Sequence, residues 1–153
     1  YDFIHMLQQA CLLHDIGKAS IPDSILLKPG KLTREEFDEV KRHTLIGAET
    51  LEQTLPRLQN SGMFQMAMDI ALSHHERWDG RGYPRGLKGN EICLHARIIG
   101  FADAYDAMTC GRTYQRALTA EEALAEIYAC QGGQFDPEIV QLFAAAVQKD
   151  AEL

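Results

Sequence analysis

Residues 63–84 read MFQMAMDIALSHHERWDGRGYP, and the change of pattern inside this stretch decides the fold. Apolar side chains recur at helical spacing through Met66 and Ile70, which predicts a helix over residues 63–75. Residues 76–90 then hold four glycines and one proline, too many for a helix to continue. The stretch therefore predicts a helix with a histidine doublet at its C-terminal end, followed by a loop.

The segments before this stretch also have a helical pattern. Apolar residues recur at helical spacing over residues 3–13, which predicts a first helix closed by His14 and Asp15. Thr33 and Glu36 have the spacing of a capping box, in which each side chain satisfies a backbone amide at the start of a helix. A second helix is therefore expected to begin there.

The segments after it follow the same logic. An apolar helix is expected over residues 94–108, and Thr119 with Glu122 repeats the capping-box spacing. Asp136 and Pro137 have the residue types of an N-cap and a first helical position. Almost no segment has the period of a strand, so the sequence predicts an all-α helical bundle.

Length and composition fit one globular domain of 153 residues. Hydrophobic residues make up 46% of the chain and charged residues 24%, and no apolar run is long enough to cross a membrane. The net charge of −7 argues against binding of a nucleic-acid polymer through a basic face. The N-terminus has neither an initiator Met nor a signal-peptide pattern, so we expect residues 1–153 to be cut from a larger regulatory protein.

The four cysteines are widely spaced and form no CxxC pair; they are Cys11, Cys93, Cys110 and Cys130. Most of them lie among aliphatic residues, which predicts reduced thiols packed in the core. Reduced thiols are typical of a cytoplasmic protein.

Side chains of the types that bind metals stand at the ends of the apolar helical stretches. They are His14, Asp15, His43, His74, His75 and Asp103. Such groups are costly to bury unless something satisfies them, and a pair of divalent cations would satisfy all of them. A lone histidine at a helix end is more often an exposed or hydrogen-bonded side chain. The adjacent pair is harder to dismiss, because neighbouring side chains on a helix diverge by about 100° and would share a cluster only in a frayed turn or a binuclear centre.

The strings HDIGK at residues 14–18 and HHERWDGRGYP at residues 74–84 resemble the signatures of the HD-GYP family, a branch of the HD-domain metal-dependent phosphohydrolases. Further segments, FADAYDAMT at 101–109 and FDPE at 135–138, are similar to later signatures of that family. The resemblance covers nearly the whole chain, and the second string is long enough to make a chance match negligible. An HD-domain-like helical bundle is therefore expected.

The resemblance implies hydrolysis of cyclic di-GMP to pGpG, in some members on to GMP, through attack by a hydroxide that bridges metal ions. It also implies two or three divalent ions, iron or manganese. Asp15 would bridge two of them; His14 and Asp103 would complete one, and His43, His74 and His75 the other. Independently of the family, two cations close together can lower the pKa of a bridging water and neutralise a phosphodiester oxygen.

Several other residues are expected to contact the substrate. Lys18 is placed to stabilise the phosphate in the transition state, although it could equally be a solvated lysine at a helix end. Arg112 would hold the second phosphate with help from Arg116, and Tyr83 would stack on a guanine or bind a phosphate. The remaining candidates are Gly82 and Pro84, which shape the turn or form a structural clamp, and Asp106, which would bind substrate or a metal-bound water.

Three functions stay open at this point. The first is a cyclic di-GMP phosphodiesterase, and the second is the same chemistry on another cyclic dinucleotide or nucleotide. The third is a non-catalytic module that binds the nucleotide or docks a protein partner through the GYP loop. The family also has an upstream helix with a further histidine and often a receiver or sensory domain; both would precede Tyr1. No pattern in the sequence indicates the oligomeric state.

Overall fold

A computed structural model describes residues 2–54, 61–110 and 116–150. Within these ranges the chain is helical, and its only strand-like pairings are two isolated bridges, Asp79 with Lys88 and Gln131 with Phe135. The helices are α1 Phe3–Cys11, α2 Asp23–Leu26, α3 Arg34–Lys41, α4 His43–Thr54, α5 Gly62–Ser73, α6 Leu94–Thr109, α7 Ala120–Ala129 and α8 Pro137–Asp150, with short 3₁₀ helices at Ile16–Ser20 and Gly89–Glu91. The predicted all-α class is confirmed.

The predicted helix starts are confirmed by their hydrogen bonds. Thr33 with Glu36 and Thr119 with Glu122 form complete capping boxes at the starts of α3 and α7. At the start of α8 the Oδ1 atom of Asp136 accepts a hydrogen bond from the amide of Glu138 at 2.9 Å. These caps satisfy amides that have no partner within the helix.

The prediction that His14 and Asp15 close the first helix is wrong. Helix α1 ends at Cys11, and residues 12–15 form a tight turn into the 3₁₀ helix Ile16–Ser20. The amides of Leu13 and His14 each bond to a carbonyl three residues back, which winds the chain more tightly than an α-helix. His14 and Asp15 therefore lie on the turn that follows α1 and not within the helix.

Two clusters of apolar side chains form the core. The first is built around α5, where Phe64 and Ile70 are fully buried and pack with Ala10 and Leu51 from α1 and α4. The second joins α6, α7 and α8 through Phe101, Ile127, Phe135 and Val140. Because α5 contacts α1, α4 and α6, its C-terminal end lies where the other motif-bearing segments meet.

Two glycines let these segments approach closely. A Cβ atom on Gly17 would lie 2.0 Å from the carbonyl oxygen of His43, and one on Gly100 would lie 2.3 Å from the carbonyl oxygen of His74. Neither position has room for any side chain. The first contact sets the 3₁₀ helix against the start of α4, and the second sets α6 against the end of α5.

The four cysteines are free thiols, and the prediction that they pack in the core holds only for Cys130, which packs against the second cluster. Cys110 is exposed and the other three are half-buried. Each cysteine lies at or next to a helix terminus, as Cys93 does immediately before α6 and Cys110 immediately after it. Among the described residues, none of the helices is both long and apolar enough to cross a bilayer.

Candidate metal centre

Three separate segments bring the predicted ligands together. Asp15 comes from the turn after α1, His43 is the first residue of α4, and the histidine doublet follows α5 directly. One ligand atom from each of Asp15, His43, His74 and His75 lies within 4.8 Å of every other. His43 and His74 are almost wholly buried, so the cluster is shielded from bulk water on one side.

Three of the imidazole rings are fixed by the backbone behind them. Nδ1 of His14 lies 2.7 Å from the Cys11 carbonyl, Nδ1 of His43 lies 2.6 Å from that of Val40, and Nδ1 of His74 lies 2.9 Å from that of Ile70. A carbonyl only accepts hydrogen bonds, so each Nδ1 carries a proton, and in the neutral rings of His43 and His74 the Nε2 atom keeps its lone pair. This is the arrangement that orients histidine ligands in metal sites.

The Nε2 atoms point at a carboxylate and find no donor there. Asp15 Oδ1 lies 3.4 Å from Nε2 of His43 and 3.8 Å from Nε2 of His74. All three atoms are buried and have no hydrogen-bond partner. Acceptors that face one another in a buried site are unfavourable unless a cation lies between them, so these residues fit a divalent metal ion.

A second group of donors shares the same aspartate. Nε2 of His14 lies 3.3 Å from Asp15 Oδ2 and 4.0 Å from Oδ1 of Asp103, which projects from α6. Asp15 therefore presents one oxygen to His43 and His74 and the other to His14. The donor set fits two neighbouring ions that share one carboxylate.

The electrostatics keep most of these ligands in their metal-binding protonation states. Burial lowers the pKa of His74 to about 4, and burial with repulsion from His74 and His43 lowers the pKa of His75 to about 2. Burial also lowers the pKa of His43. All three rings are therefore neutral at pH 7 and free to bind a cation through nitrogen.

The Asp15 and His14 pair behaves differently. Burial alone would raise the pKa of Asp15, but hydrogen bonds from His14 and Lys18 hold it far below its usual value. The same hydrogen bond to Asp15 raises the pKa of His14, against the effect of burial. Asp15 is thus a permanent carboxylate at neutral pH, as a bridging ligand must be.

Lys18 and Tyr83 lie beside the cluster. The ammonium of Lys18 donates a hydrogen bond to Asp15 Oδ2. The ring of Tyr83 stacks on His75, with centroids 4.8 Å apart and an interplanar angle of 27°. Burial raises the pKa of the Tyr83 hydroxyl, which therefore remains protonated and able to donate. Gly82 packs against the backbone of residues 75–77, and Pro84 follows a cis peptide bond.

The loop after the doublet is held by a residue that the sequence did not single out. Glu76 is buried, and its two oxygens accept hydrogen bonds from the amides of Arg85 at 2.7 Å and Leu87 at 2.9 Å. The sequence did contain an indication of this role, because Glu76 is an acidic residue between the histidine doublet and the glycine-rich loop. This carboxylate fixes the loop that carries Tyr83 without touching the ligand cluster.

A cavity of about 480 Å³ opens in front of the centre. His74, His75 and Asp103 line its floor, with Tyr83 at one wall. Other residues of its wall were not expected there from the sequence; they include Phe37, Lys41, Arg77, Trp78 and Arg97. A volume of this size falls within the range of roughly 300–1,000 Å³ that is typical of small-molecule sites.

Other predicted substrate residues are not brought to this cavity. Asp106 is exposed, accepts a hydrogen bond from Cys110 and lines a separate groove with Tyr105. Arg116 is exposed and pairs with Glu122, with an N–O distance of 3.0 Å. Arg112 lies outside the described residues.

Comparison with known proteins gives a consistent pattern. Residues 3–139 match the family model described as HD domain. The chain is 49% identical over 141 residues to a cyclic di-GMP phosphodiesterase of Thermotoga maritima. The aligned region covers 92% of this chain and 37% of that protein. It is 46% identical over 147 residues to a cyclic di-GMP phosphodiesterase of Vibrio cholerae, covering 96% of this chain and 30% of the relative.

The chain thus spans about a third of the length of the curated relatives that it matches. A crystal structure of a cyclic GMP-AMP-specific phosphodiesterase of V. cholerae, V-cGAP3, superposes with a TM-score of 0.64 at 23% identity, over 94% of this chain and 38% of that one. That likeness concerns the fold, and with the family model it confirms the predicted HD-domain-like helical bundle.

Proposed function

Since this chain belongs to the HD domain family, in its HD-GYP branch, we propose that it hydrolyses cyclic di-GMP to pGpG at the cluster around Asp15. The observation that carries the proposal is the set of buried acceptor atoms without donors, Asp15 Oδ1, His43 Nε2 and His74 Nε2. They lie behind a cavity that is lined by His74, His75 and Asp103 and has cationic side chains in its wall. A metal-dependent reaction on a phosphodiester needs both features.

The residues would divide between the ions as the family resemblance implies. Asp15 would be shared, with His14 and Asp103 on one side and His43, His74 and His75 on the other. When bound, two divalent cations supply the positive charge that activates a water near neutral pH and neutralises a phosphodiester oxygen. Iron and manganese are the ions we propose, with a third ion if the family's upstream ligands precede this segment.

Lys18 is the residue of this chain proposed to act on the reacting phosphate. Its ammonium already lies against Asp15, so a phosphate placed over the cluster would be within its reach. Negative charge grows on the phosphoryl oxygens and the departing 3′ oxygen during hydrolysis. A fixed cation there stabilises the transition state more than the bound substrate.

The cavity wall would hold the rest of the dinucleotide. Tyr83, stacked on His75, offers a hydroxyl and one aromatic edge, and Phe37 meets Tyr83 edge-on at 6.3 Å. Such a pair suits a purine base. Lys41 lies 4.8 Å from the centre of the Phe37 ring and brings a positive charge to the same wall.

The other substrate contacts remain proposals from the resemblance. They are Arg112 on the second phosphate with Arg116 beside it, Gly82 and Pro84 shaping the turn, and Asp106 on substrate or a bound water. We also propose a single HD-GYP-type domain over residues 1–153, a cytoplasmic location, regulation by a receiver or sensory domain, and a protein contact through the GYP loop.

The test is turnover of cyclic di-GMP by protein loaded anaerobically with Fe(II) or Mn(II), with products separated by chromatography. The alternative substrate 3′3′-cGAMP is assayed in parallel. Lys18→Gln should lower kcat while leaving metal content unchanged. Lys28→Gln is the matched control, because Lys28 forms an ion pair with Glu36 of α3 and not with Asp15. The kcat of this variant should be unchanged.

Metal-dependent formation of pGpG with the expected Lys18 effect supports the proposal. Faster hydrolysis of 3′3′-cGAMP than of cyclic di-GMP would contradict the proposed substrate but would agree with the proposed type of reaction. Protein that retains two ions and binds cyclic di-GMP without releasing product would contradict the enzyme and favour the non-catalytic module.

A further inference from the structure

A second group of metal-type side chains lies between α5 and the start of α6. Asp69 projects from α5, Cys93 directly precedes α6, and His95 is the second residue of α6. We propose that these three residues bind one zinc ion, distinct from the catalytic centre, which fastens α5 to α6. This inference does not depend on the substrate or the reaction proposed above.

The geometry is already close to that of a bound ion. One ligand atom from each residue lies within 4.8 Å of the others, and Nε2 of His95 is 3.3 Å from Oδ2 of Asp69. Metal–ligand bonds of about 2.0–2.3 Å in a tetrahedral site place ligand atoms roughly 3.3–3.8 Å apart. Small rotations of side chains would reach that spacing, because all three residues are only half-buried.

The thiol of Cys93 lies at the N-cap of α6 and must lose its proton to bind an ion. Burial raises the pKa of Cys93, and the amide of Ala96 in the first turn of α6 acts in the opposite direction. Helix α6 has 16 residues, so its N-terminus contributes a partial positive charge that stabilises the thiolate once an ion has displaced the proton.

The charges in this group balance on binding. A thiolate and a carboxylate neutralise one divalent cation, and His95 adds a neutral nitrogen. The guanidinium of Arg85 also acts on Cys93 and keeps its charge, because the group that it binds, Ser73 Oγ at 2.8 Å, is neutral. The two anionic ligands must therefore offset this one neighbouring positive charge as well.

The donor types separate this site from the catalytic centre. Sulfur favours zinc over iron(II) and manganese(II), which prefer the nitrogen and oxygen donors around Asp15. Three protein ligands leave a fourth position for water. The three side chains come from two helices, so the ion would act as a crosslink rather than as a local cap.

The crosslink would join the two helices that lead into the catalytic centre. Helix α5 runs on from Asp69 to Ser73, directly before His74 and His75, and α6 runs on from His95 to Gly100 and Asp103. Gly100 packs against the carbonyl of His74. Zinc at the second site would therefore hold the two helices in the register that this contact requires.

The experiment is a cobalt(II) titration of the full chain followed by absorption spectroscopy. Cobalt bound to a thiolate gives an intense sulfur-to-metal charge-transfer band, whereas the cluster around Asp15 has no sulfur ligand among its described donors. We expect the band in the unmodified protein, its loss in Cys93→Ser and in His95→Ala, and its retention in Cys130→Ser. Cys130 is the matched control, because it is also a free, half-buried thiol.

A thermal measurement covers the case in which a variant folds poorly. In an Asp15→Asn background, which is expected to lack the catalytic ions, added zinc should raise Tm, and the further change Cys93→Ser should remove that rise. A charge-transfer band that persists in Cys93→Ser, or cobalt bound without any such band, overturns the proposal. Equal zinc-dependent rises in Tm with and without Cys93 would overturn it as well.

Discussion

The cluster around Asp15 and the group formed by Asp69, Cys93 and His95 contain similar ligand types but differ in how far the protein prepares them. In the first, buried acceptor atoms face one another without a donor, and backbone carbonyls fix three rings. In the second, His95 already has Asp69 as a partner at 3.3 Å and the residues are partly exposed. Buried acceptor atoms without a donor therefore indicate an ion site more strongly than ligand-type side chains that merely lie close together.

The largest expected effect separates the two groups directly. Asp15→Asn removes the shared carboxylate, so we expect loss of iron or manganese and a fall in turnover of at least about a thousandfold. The cobalt–thiolate band should survive, because it belongs to the other group. Metal analysis, steady-state kinetics and the cobalt spectrum check this, with Asp23→Asn on the exposed helix α2 as the control. Near-normal metal content with near-normal turnover would remove Asp15 from the centre.

The next prediction concerns the contact between the helices that carry both groups. Gly100→Ala would put a Cβ atom 2.3 Å from the His74 carbonyl oxygen, so the helices must separate. We expect a loss of about 3 kcal/mol in the free energy of unfolding, measured with urea. Gly62→Ala is the control, because a Cβ atom there would meet only the sulfur of Met6 at an ordinary 3.6 Å. Helix propensity favours alanine over glycine in both variants, so a Gly100→Ala protein as stable as Gly62→Ala would show that the close contact carries no such cost.

A smaller effect should appear when the metal-free protein is acidified. The pKa of His74 is about 4 in the folded chain, because it is buried, against 6.5 for an ordinary histidine. Between these values the unfolded chain binds the proton and the folded chain does not, so stability falls as pH decreases from about 6.5 to about 4. We expect a loss of about 2 kcal/mol over that window.

The raised pKa of His14 does not affect this slope. Its contribution to the free energy of unfolding is constant below pH 6.5 and is lost only as the pH rises above that value. Urea unfolding at several pH values with a chelator present measures the slope, and His74→Gln should reduce it, leaving the part that comes from His43 and His75, whose pKa values are also lowered by burial. An unchanged slope in that variant would assign the acid sensitivity to other groups.

The last prediction compares the carboxylate of Glu76, which is buried, with that of Asp15, which is half-buried. Both oxygens of Glu76 have amide donors, whereas Asp15 Oδ1 has none. Glu76→Gln replaces one acceptor by a donor, so we expect a loss of about 1 kcal/mol in the metal-free free energy of unfolding with unchanged metal binding. Asp15→Asn should also lower the metal-free free energy of unfolding, because Oδ2 loses the charge that pairs with Lys18 and His14, and it should abolish metal binding. Denaturant unfolding with a chelator and metal analysis test both, and loss of metal from Glu76→Gln would mean that the two carboxylates have the same role.

Much of the centre could be predicted because its ligands stand in two contiguous strings and at the ends of periodic helices. What could not be predicted depends on rotation and close approach. Asp103 and Asp106 are three residues apart, which suggested one face, yet only Asp103 lines the cavity of the centre. Three residues turn a helix through about 300°, so a 60° offset is enough to separate the two side chains.

Other features depend on contacts between distant segments. The space that Gly17 and Gly100 leave for neighbouring carbonyls has no signal in a hydrophobic period. The two amides that donate hydrogen bonds to Glu76 lie nine and eleven residues further along the chain. They belong to a loop whose sequence has no periodic pattern. The break of α1 at Cys11 was also missed, because the apolar period continues through Leu13 while the hydrogen bonds tighten to a three-residue spacing.

The carbonyl anchors behind His14, His43 and His74 also bear on which ion the centre selects. Each ring is tied to a carbonyl three or four residues earlier in the chain, so it cannot swing to follow an ion of a different radius. A carboxylate can bind through one oxygen or both and can adapt its reach. In the metal centre proposed above, discrimination by ionic size would therefore fall on Asp15 and Asp103, and exchange of either for a longer glutamate is the change that would alter metal preference.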